Sequence, residues 1–144
     1  MSITSAAQEI IDELSEVEAQ DRLELLLEYA NSLPQLPPQY VDHPDALERV
    51  EECQSPVFLF VEVEAGRIKV YLTAPEEAPT TRAFANILYR SLNNQTVESI
   101  QDFDNDFPER LGLTTLVSPL RMRGIRGMLA RIKRQSLEKS ARIH

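Results

Sequence analysis

The sequence is poor in the residues on which most catalytic and metal sites depend. Its 144 residues include one cysteine, two histidines and four glycines. Three Cys and His residues are fewer than the four ligands of a usual structural zinc site, and a lone cysteine forms no disulfide within the chain. Four scattered glycines exclude a glycine-rich phosphate loop. A Ser-His-Asp triad would depend on His43, in a proline-rich connector. Cys53 is therefore the first candidate for covalent chemistry.

Long apolar runs and targeting signals are also missing. No segment approaches the ~20 apolar residues of a membrane-spanning helix, and the first residues lack the basic and apolar regions of a secretory signal. We therefore expect no membrane association and a cytoplasmic protein, which the lone cysteine also favours. Hydrophobic residues make up 42% of the chain and charged residues 26%, which is typical of one globular domain over residues 1–144.

Charge is distributed unevenly along the chain, whose net charge is −8. Residues 1–64 carry a net charge of −13, and residues 65–144 carry +5. One interpretation is a solvated acidic face and a solvated basic helix, and the alternative is a dipolar surface that steers a charged protein partner. The overall acidity, and the absence of aromatic residues from the basic segment 119–144, argue against nucleic-acid binding.

Apolar periodicity predicts two helices at the start of the sequence. Ser5-Ala-Ala-Gln8 fits a capping box, and apolar residues follow it at helical spacing. A second helix is predicted over residues 21–32, with one apolar face formed by Leu23, Leu26, Leu27 and Ala30. Leu33-Pro-Gln-Leu-Pro-Pro38 ends this helix because proline lacks a backbone donor and restricts the residue before it.

The middle of the sequence predicts a β-hairpin, and helices follow it. Residues 55–64 alternate as a strand, a turn at residues 64–67 contains Gly66, and Ile68, Val70 and Leu72 alternate in the return strand. Helices are predicted over residues 80–93, 96–102 and 107–111. Ser118-Pro119 then starts a long helix with a buried stripe formed by Leu120, Ile125, Met128, Leu129 and Ile132. This order predicts an α+β fold with a small antiparallel β-sheet packed against several helices.

Cys53 lies where an irregular connector enters the first predicted strand. A lone cysteine is most often a small buried hydrophobic residue, but loops that enter strands hold side chains at positions where function concentrates. The neighbouring Glu51 and Glu52 should raise the pKa of the thiol. Arg121 and Arg123, near the start of the last helix, are candidate bases that would compensate.

Clustered carboxylates provide weaker candidates for a site. Asp102-Phe-Asp-Asn-Asp106 begins like a calcium loop, but Phe107 and Leu113 stand where that motif needs glycine and glutamate. We interpret it as a solvated acidic turn and expect no metal site. The adjacent acids at Glu76 and Glu77 are typical of exposed surface rather than of an acid–base pair.

An ordered set of motifs resembles the SufE/CsdE family of sulfur-acceptor proteins. The resemblance covers about residues 22–133, and its strength lies in the order and spacing of elements that are individually unspecific. The matching segments are Leu33-Pro-Gln-Leu-Pro37, Val50-Glu-Glu-Cys-Gln-Ser55, Glu76-Glu-Ala78, Thr96-Val-Glu-Ser-Ile100, Leu111-Gly-Leu113 and Ser118-Pro-Leu-Arg-Met-Arg-Gly-Ile125. The sequence departs from the family pattern at four places. Glu52 replaces a glycine, Glu76-Glu77 replaces Ser-Asp, Ala83 replaces a glycine and Arg123 replaces an asparagine.

The resemblance implies a role in sulfur transfer for iron–sulfur cluster assembly. Such proteins take persulfide sulfur from a cysteine desulfurase, which carries pyridoxal phosphate, and pass it toward a cluster scaffold. Cys53 matches the acceptor cysteine, which the family is expected to shelter in an apolar recess. Gln54 and Ser55 would shape its loop, and Arg121 is the best candidate for a supporting charge. The resemblance implies an accessory protein with no cofactor of its own.

Two other interpretations of the sequence remain open. One is an adaptor that docks on the desulfurase or on the iron–sulfur scaffold without carrying sulfur. The other is a thiol redox sensor, which the lack of a second, resolving cysteine disfavours. We expect a monomer or a homodimer, with the desulfurase and the scaffold complex as partners.

Overall fold

The computed structural model describes residues 2–143, so Met1 and His144 lie outside the described residues. The helices are α1 (Ser5–Glu16), α2 (Ala19–Asn31), α3 (Pro38–Val41), α4 (Pro79–Leu92), α5 (Val97–Gln101), α6 (Phe107–Arg110) and α7 (Pro119–Ile143). The strands are β1 (Glu48–Arg49), β2 (Phe58–Glu64) and β3 (Arg67–Thr73), and a 3₁₀ turn spans Pro44–Ala46. Within residues 2–143, every helix is too short or too polar to span a lipid bilayer.

The sheet is antiparallel and has the strand order β1-β2-β3. β2 and β3 form the predicted hairpin, with Phe58 opposite Thr73. Its turn places Ala65 at a φ of 52° and Gly66 at 77°, the double positive φ of a type I′ turn, which suits the twist of the flanking strands. The sequence did not predict β1, because two residues are too few to show an alternating pattern. The predicted α+β fold with a small antiparallel sheet is confirmed.

The first helix begins with a different cap from the one predicted. Thr4, rather than Ser5, is the N-cap, and its hydroxyl accepts a hydrogen bond from the Ala7 N–H at 3.0 Å. The same hydroxyl donates to the Ser91 carbonyl oxygen at 2.7 Å. The contact with α4 therefore helps to fix the start of α1. The side chain of Gln8 donates to Asp12 instead of reaching back to the helix start.

The buried face of α2 also differs from the prediction. Leu26 and Tyr29 are buried, whereas Leu23 and Leu27 are 50% and 49% exposed. Asn86 of α4 donates to the Tyr29 carbonyl oxygen at 2.7 Å, which orients this face toward α4. Several leucines occur close together in this helix, so apolar periodicity alone did not distinguish the inner face from the outer one.

The core lies between the sheet and the long helices α4 and α7. The predicted inward residues of the hairpin are buried except at its end, where Val63 is half-buried. The buried members are Val57, Leu59, Val61, Ile68, Val70 and Leu72. In α4 every predicted inward residue is buried: Ala83, Phe84, Ile87, Leu88 and Leu92. In α7 the predicted stripe is buried except for Leu120, which lies in the first turn of the helix and is 40% exposed.

Side chains of α7 satisfy the part of β2 that β1 does not cover. β1 pairs with β2 at Phe58 and Leu59. Beyond that point, the Val61 N–H donates to the side-chain oxygen of Gln135 at 2.8 Å, and Lys139 donates to the Val61 carbonyl oxygen. Unpaired backbone groups at a sheet edge are costly when buried and promote aggregation when exposed. Gln135 therefore fixes the position of α7 along the strand.

We expect Gln135→Leu to lower the free energy of unfolding by about 1–3 kcal/mol, because it leaves the Val61 N–H without its acceptor. Urea denaturation followed by circular dichroism measures this change. Gln20→Leu, at an exposed position of α2, is the matched control and should change stability little. Equal stabilities for Gln135→Leu and the wild type would show that solvent replaces this bond at no cost.

Candidate functional site

The candidate site is built on the loop that joins β1 to β2. The Val50 N–H donates to the Val57 carbonyl oxygen at 2.9 Å, which closes the base of the loop. The Cys53 N–H donates to the Val50 carbonyl oxygen at 3.1 Å, so the chain turns sharply just before Cys53. This turn points Cys53 toward α7, and the residue is only 7% exposed.

Two glycines of α7 make room for the tip of this loop. A methyl group added at Gly124 would lie 2.8 Å from the Cys53 Sγ atom. A methyl group added at Gly127 would lie 2.7 Å from the carboxyl carbon of Glu52. Residues three positions apart lie on the same face of a helix. The two glycines therefore form one notch, which receives the sulfur of Cys53 and the carboxylate of Glu52 side by side.

Cys53 also lines a recess of about 380 Å³ between the first turns of α4 and α7. All four site residues predicted from the sequence line it: Cys53, Gln54, Ser55 and Arg121. Its apolar wall includes Phe84, Ile125 and Met128. Gln54 and the side chain of Arg121 are exposed, and Ser55 is half-buried. The structure therefore brings the predicted residues together around a recess with an apolar wall beside the sulfur.

The environment of Cys53 disfavours its thiolate. Burial raises the pKa of the thiol from 9.0 to about 11, and the nearby charge of Glu52 contributes in the same direction, as the sequence predicted. Arg131 and Arg49 lower this pKa, but not enough to offset burial. Arg121, which the sequence suggested as a compensating base, lines the recess, whereas the compensating cations are these other two arginines.

Arg131 connects the loop to the strand before it. One of its terminal nitrogens lies 2.6 Å from the Glu52 carboxylate, and its Nε atom lies 3.2 Å from the carboxylate of Glu48 in β1. Arg134, one turn along α7 on a similar face, also contacts Glu48. These ion pairs join the acidic half of the sequence to the basic helix, so part of the charge asymmetry is neutralised within the molecule.

The sequence interpretation missed the two glycines and Arg131. Gly124, Gly127 and Arg131 have the spacing of one helix face, which was the available signal. This spacing does not show which loop the face will meet.

The acidic turn before α6 forms ion pairs with arginines. Asp104 lies 3.1 Å from Arg110, and Asp106 lies 3.1 Å from Arg126.

We expect Gly124→Ala to expose Cys53. The added methyl group would overlap the sulfur, and overpacking of this kind costs about 1–3 kcal/mol, which corresponds to a fivefold or greater rise in the exposed population. The rate of iodoacetamide alkylation at pH 8 measures the exposure. Ala130→Ser, at an exposed position on α7, is the control and should react at the wild-type rate. An unchanged rate for Gly124→Ala would mean that the sulfur rotates aside within its recess.

Comparison with known proteins places the chain in a family. The family profile described as "SufE: Fe-S metabolism associated domain" matches residues 8–136. Two uncharacterized SufE-like proteins of Mycobacterium tuberculosis, from strains CDC 1551 and H37Rv, are each 46% identical over 138 residues, which are 95% of this chain and 95% of each relative. A solution structure of a hypothetical protein from Thermus thermophilus is similar, with a TM-score of 0.85 and 31% identity over 97% of this chain and 99% of that chain. The chain therefore belongs to the SufE family, whose domain is associated with Fe–S metabolism.

Proposed function

We propose that the protein accepts persulfide sulfur on Cys53 from a cysteine desulfurase, stimulates that enzyme, and delivers the sulfur for iron–sulfur cluster assembly. The observation that carries the proposal is the position of the lone cysteine at a loop tip, beside a recess that has an apolar wall and is lined by the other predicted site residues. Membership of the SufE family supports a role in Fe–S metabolism.

The transfer is a thiol–disulfide type of exchange. The Cys53 thiolate attacks the outer sulfur of the donor cysteine persulfide, a new S–S bond forms on Cys53, and the S–S bond of the donor breaks. The donor cysteine leaves as a thiolate and takes up a proton, which balances the proton that Cys53 loses. Because one S–S bond replaces another, no oxidant or reductant is needed.

The recess would protect the product. A persulfide reacts with oxidants and with other thiols, so a carrier benefits from a site that excludes water between its two partners. The apolar wall formed by Phe84, Ile125 and Met128 is suited to contact with polarisable sulfur atoms. Gln54 and Ser55 would shape the loop on the other side, and Arg121 at the rim would support the negative charge of the attacking or leaving sulfur.

A second function, that of an adaptor, is favoured by the state of the thiol. A thiol with a pKa of about 11 has little thiolate at neutral pH, and this one is buried in the described conformation. Both properties suit a structural cysteine better than a nucleophile. Under this alternative the protein docks on the desulfurase or on the scaffold and changes their activity without carrying sulfur.

The proposed partners follow from the proposed reaction. Pyridoxal phosphate would belong to the desulfurase, and the protein would act as an accessory carrier with no cofactor of its own. The scaffold complex that builds the cluster would receive the sulfur. We propose that these exchanges take place in the cytoplasm, with the protein as a monomer or a homodimer.

Cys53→Ser separates the two functions. The variant should fold like the wild type, because serine is nearly the size of cysteine, but it should neither gain sulfur nor stimulate a desulfurase, because an alcohol is a poor nucleophile that does not hold sulfane sulfur. Intact-mass spectrometry after incubation with desulfurase and cysteine should show an adduct of about 32 Da on the wild type, one sulfur atom, and none on the variant. Equal stimulation by both proteins would exclude the carrier and support the adaptor.

Arg121→Ala tests the supporting charge at the rim of the recess. Arg121 lines the recess, whereas Arg123 is exposed on the same helix turn and is not among the residues that line it. We expect Arg121→Ala to slow sulfur transfer about two- to tenfold at low salt, because the negative charge on the reacting sulfur loses its supporting cation, with a smaller effect at high salt, where exposed charges are screened.

Arg123→Ala is the matched control for this experiment. It should retain most of the transfer rate, and both variants should melt near the wild-type temperature because both side chains are exposed. Single-turnover transfer followed by rapid quench gives the rates. Equal rates for the two variants would assign the effect to the general charge of the helix rather than to Arg121.

A further inference from the structure

The side chain of Glu52 is half-buried against α7 and forms an ion pair there. Its carboxylate lies over Gly127, where a β-carbon would leave no room, and it pairs with Arg131 at 2.6 Å. Arg131 is only 16% exposed and also pairs with Glu48 of β1 at 3.2 Å. The Glu52 carboxylate therefore occupies the space left by Gly127, and its partner Arg131 also pairs with Glu48 of β1.

The loop is fixed at its base and held against α7 at its tip. Backbone hydrogen bonds tie Val50 to Val57 and Cys53 to Val50. At the tip, the contacts with α7 include the sulfur of Cys53 against Gly124 and the carboxylate of Glu52 against Gly127 and Arg131. Because Glu52 and Cys53 are consecutive, a backbone movement that lifts the loop tip from α7 moves the carboxylate and the sulfur together.

We propose that Glu52 and Arg131 form a latch that sets how often Cys53 leaves its recess. In the latched state the sulfur is buried and shielded from reagents. In the open state the thiol is exposed and available to a second protein. The role of the latch in sulfur transfer rests on the function proposed above. The latch itself is formed within this chain and requires no partner protein.

Removing Arg131 distinguishes the latch from simple electrostatics. Arg131 lowers the pKa of the Cys53 thiol, so electrostatics alone predicts that Arg131→Gln makes the thiol less reactive. The latch predicts the opposite. Without its cation, a partly buried carboxylate is poorly solvated and moves into water, and the loop opens with it. The two mechanisms therefore predict rate changes of opposite sign.

The experiment measures the second-order rate of iodoacetamide alkylation of the full-length protein at pH 8 and low salt. We expect Arg131→Gln and Glu52→Gln each to react about three- to tenfold faster than the wild type. The double variant should react about as fast as the faster single variant, because both substitutions release the same contact. Arg131→Lys should return the rate toward that of the wild type. Added salt should accelerate the wild type more than Glu52→Gln.

Two further variants separate the latch from a general loss of stability. Arg126→Gln removes an α7 arginine that pairs with Asp106 and Glu109, away from the loop, and should alkylate at the wild-type rate. Gly127→Ala displaces the Glu52 carboxylate, yet alanine has a higher helix propensity than glycine. Because the end of the Glu52 side chain can swing into water, and the gain in helix propensity offsets the lost contact, this variant should melt near the wild-type temperature while reacting faster.

The latch would be overturned if Arg131→Gln reacts more slowly than the wild type, or if Gly127→Ala reacts at the wild-type rate. Should Arg131→Gln melt at a much lower temperature, Gly127→Ala alone decides between the two results. These measurements require no desulfurase, so they stand apart from the test of the proposed function. If Cys53 gains no sulfur but the variants alkylate as expected, the proposed function is wrong and the latch stands.

Discussion

The close approach of a loop tip to one face of α7 is the contact on which the candidate site depends. A helix normally keeps a neighbouring chain at the distance of its β-carbons, and Gly124 and Gly127 remove that barrier at two positions three residues apart. The sulfur of Cys53 and the carboxylate of Glu52 occupy the space. Glycine lowers the stability of a helix interior by about 1 kcal/mol relative to alanine. The notch therefore lowers the local stability of α7, and the packing of the loop tip into it must offset that loss.

The same helix aligns the sheet with the loop. Gln135 accepts a hydrogen bond from Val61 in the middle of β2, and Arg131, one turn earlier, pairs with Glu48 in β1 and with Glu52 in the loop. From the start of α7 onward, the two glycines meet the loop tip, Arg131 meets the loop and β1, and Gln135 meets β2. A shift of the helix along its axis would disturb all of them together. The basic charge of α7 thus contributes to positioning as well as to the surface potential.

The parts of this structure that follow from local pattern were predictable, and the parts that depend on distant contacts were not. The alternation of Val57, Leu59 and Val61 identified the buried face of β2, since a strand has only two faces. Leu23 and Leu27 were misassigned because α2 offers leucines on more than one face and the position of α4 decides between them. The grouping of Cys53 with Arg121 followed from the expected need for a compensating base and from the family resemblance. The pairing of Glu52 with Arg131 joins residues far apart in the sequence, and no local pattern encodes it.

Protection and reactivity make opposite demands on a sulfur carrier. The burial that shields the sulfur also raises the thiol pKa from 9.0 to about 11, which lowers the thiolate population at neutral pH about a hundredfold. A more reactive thiol in the same recess would require more positive charge than Arg131 and Arg49 supply, and that added charge would also bind the anionic persulfide more tightly and slow its release. A closed loop that protects the sulfur and an open loop that exposes it would meet these two demands at different times. The loop tip meets α7 through a polar contact at Glu52 and an apolar one at Cys53, so a partner that competes for the carboxylate would gain access to the sulfur.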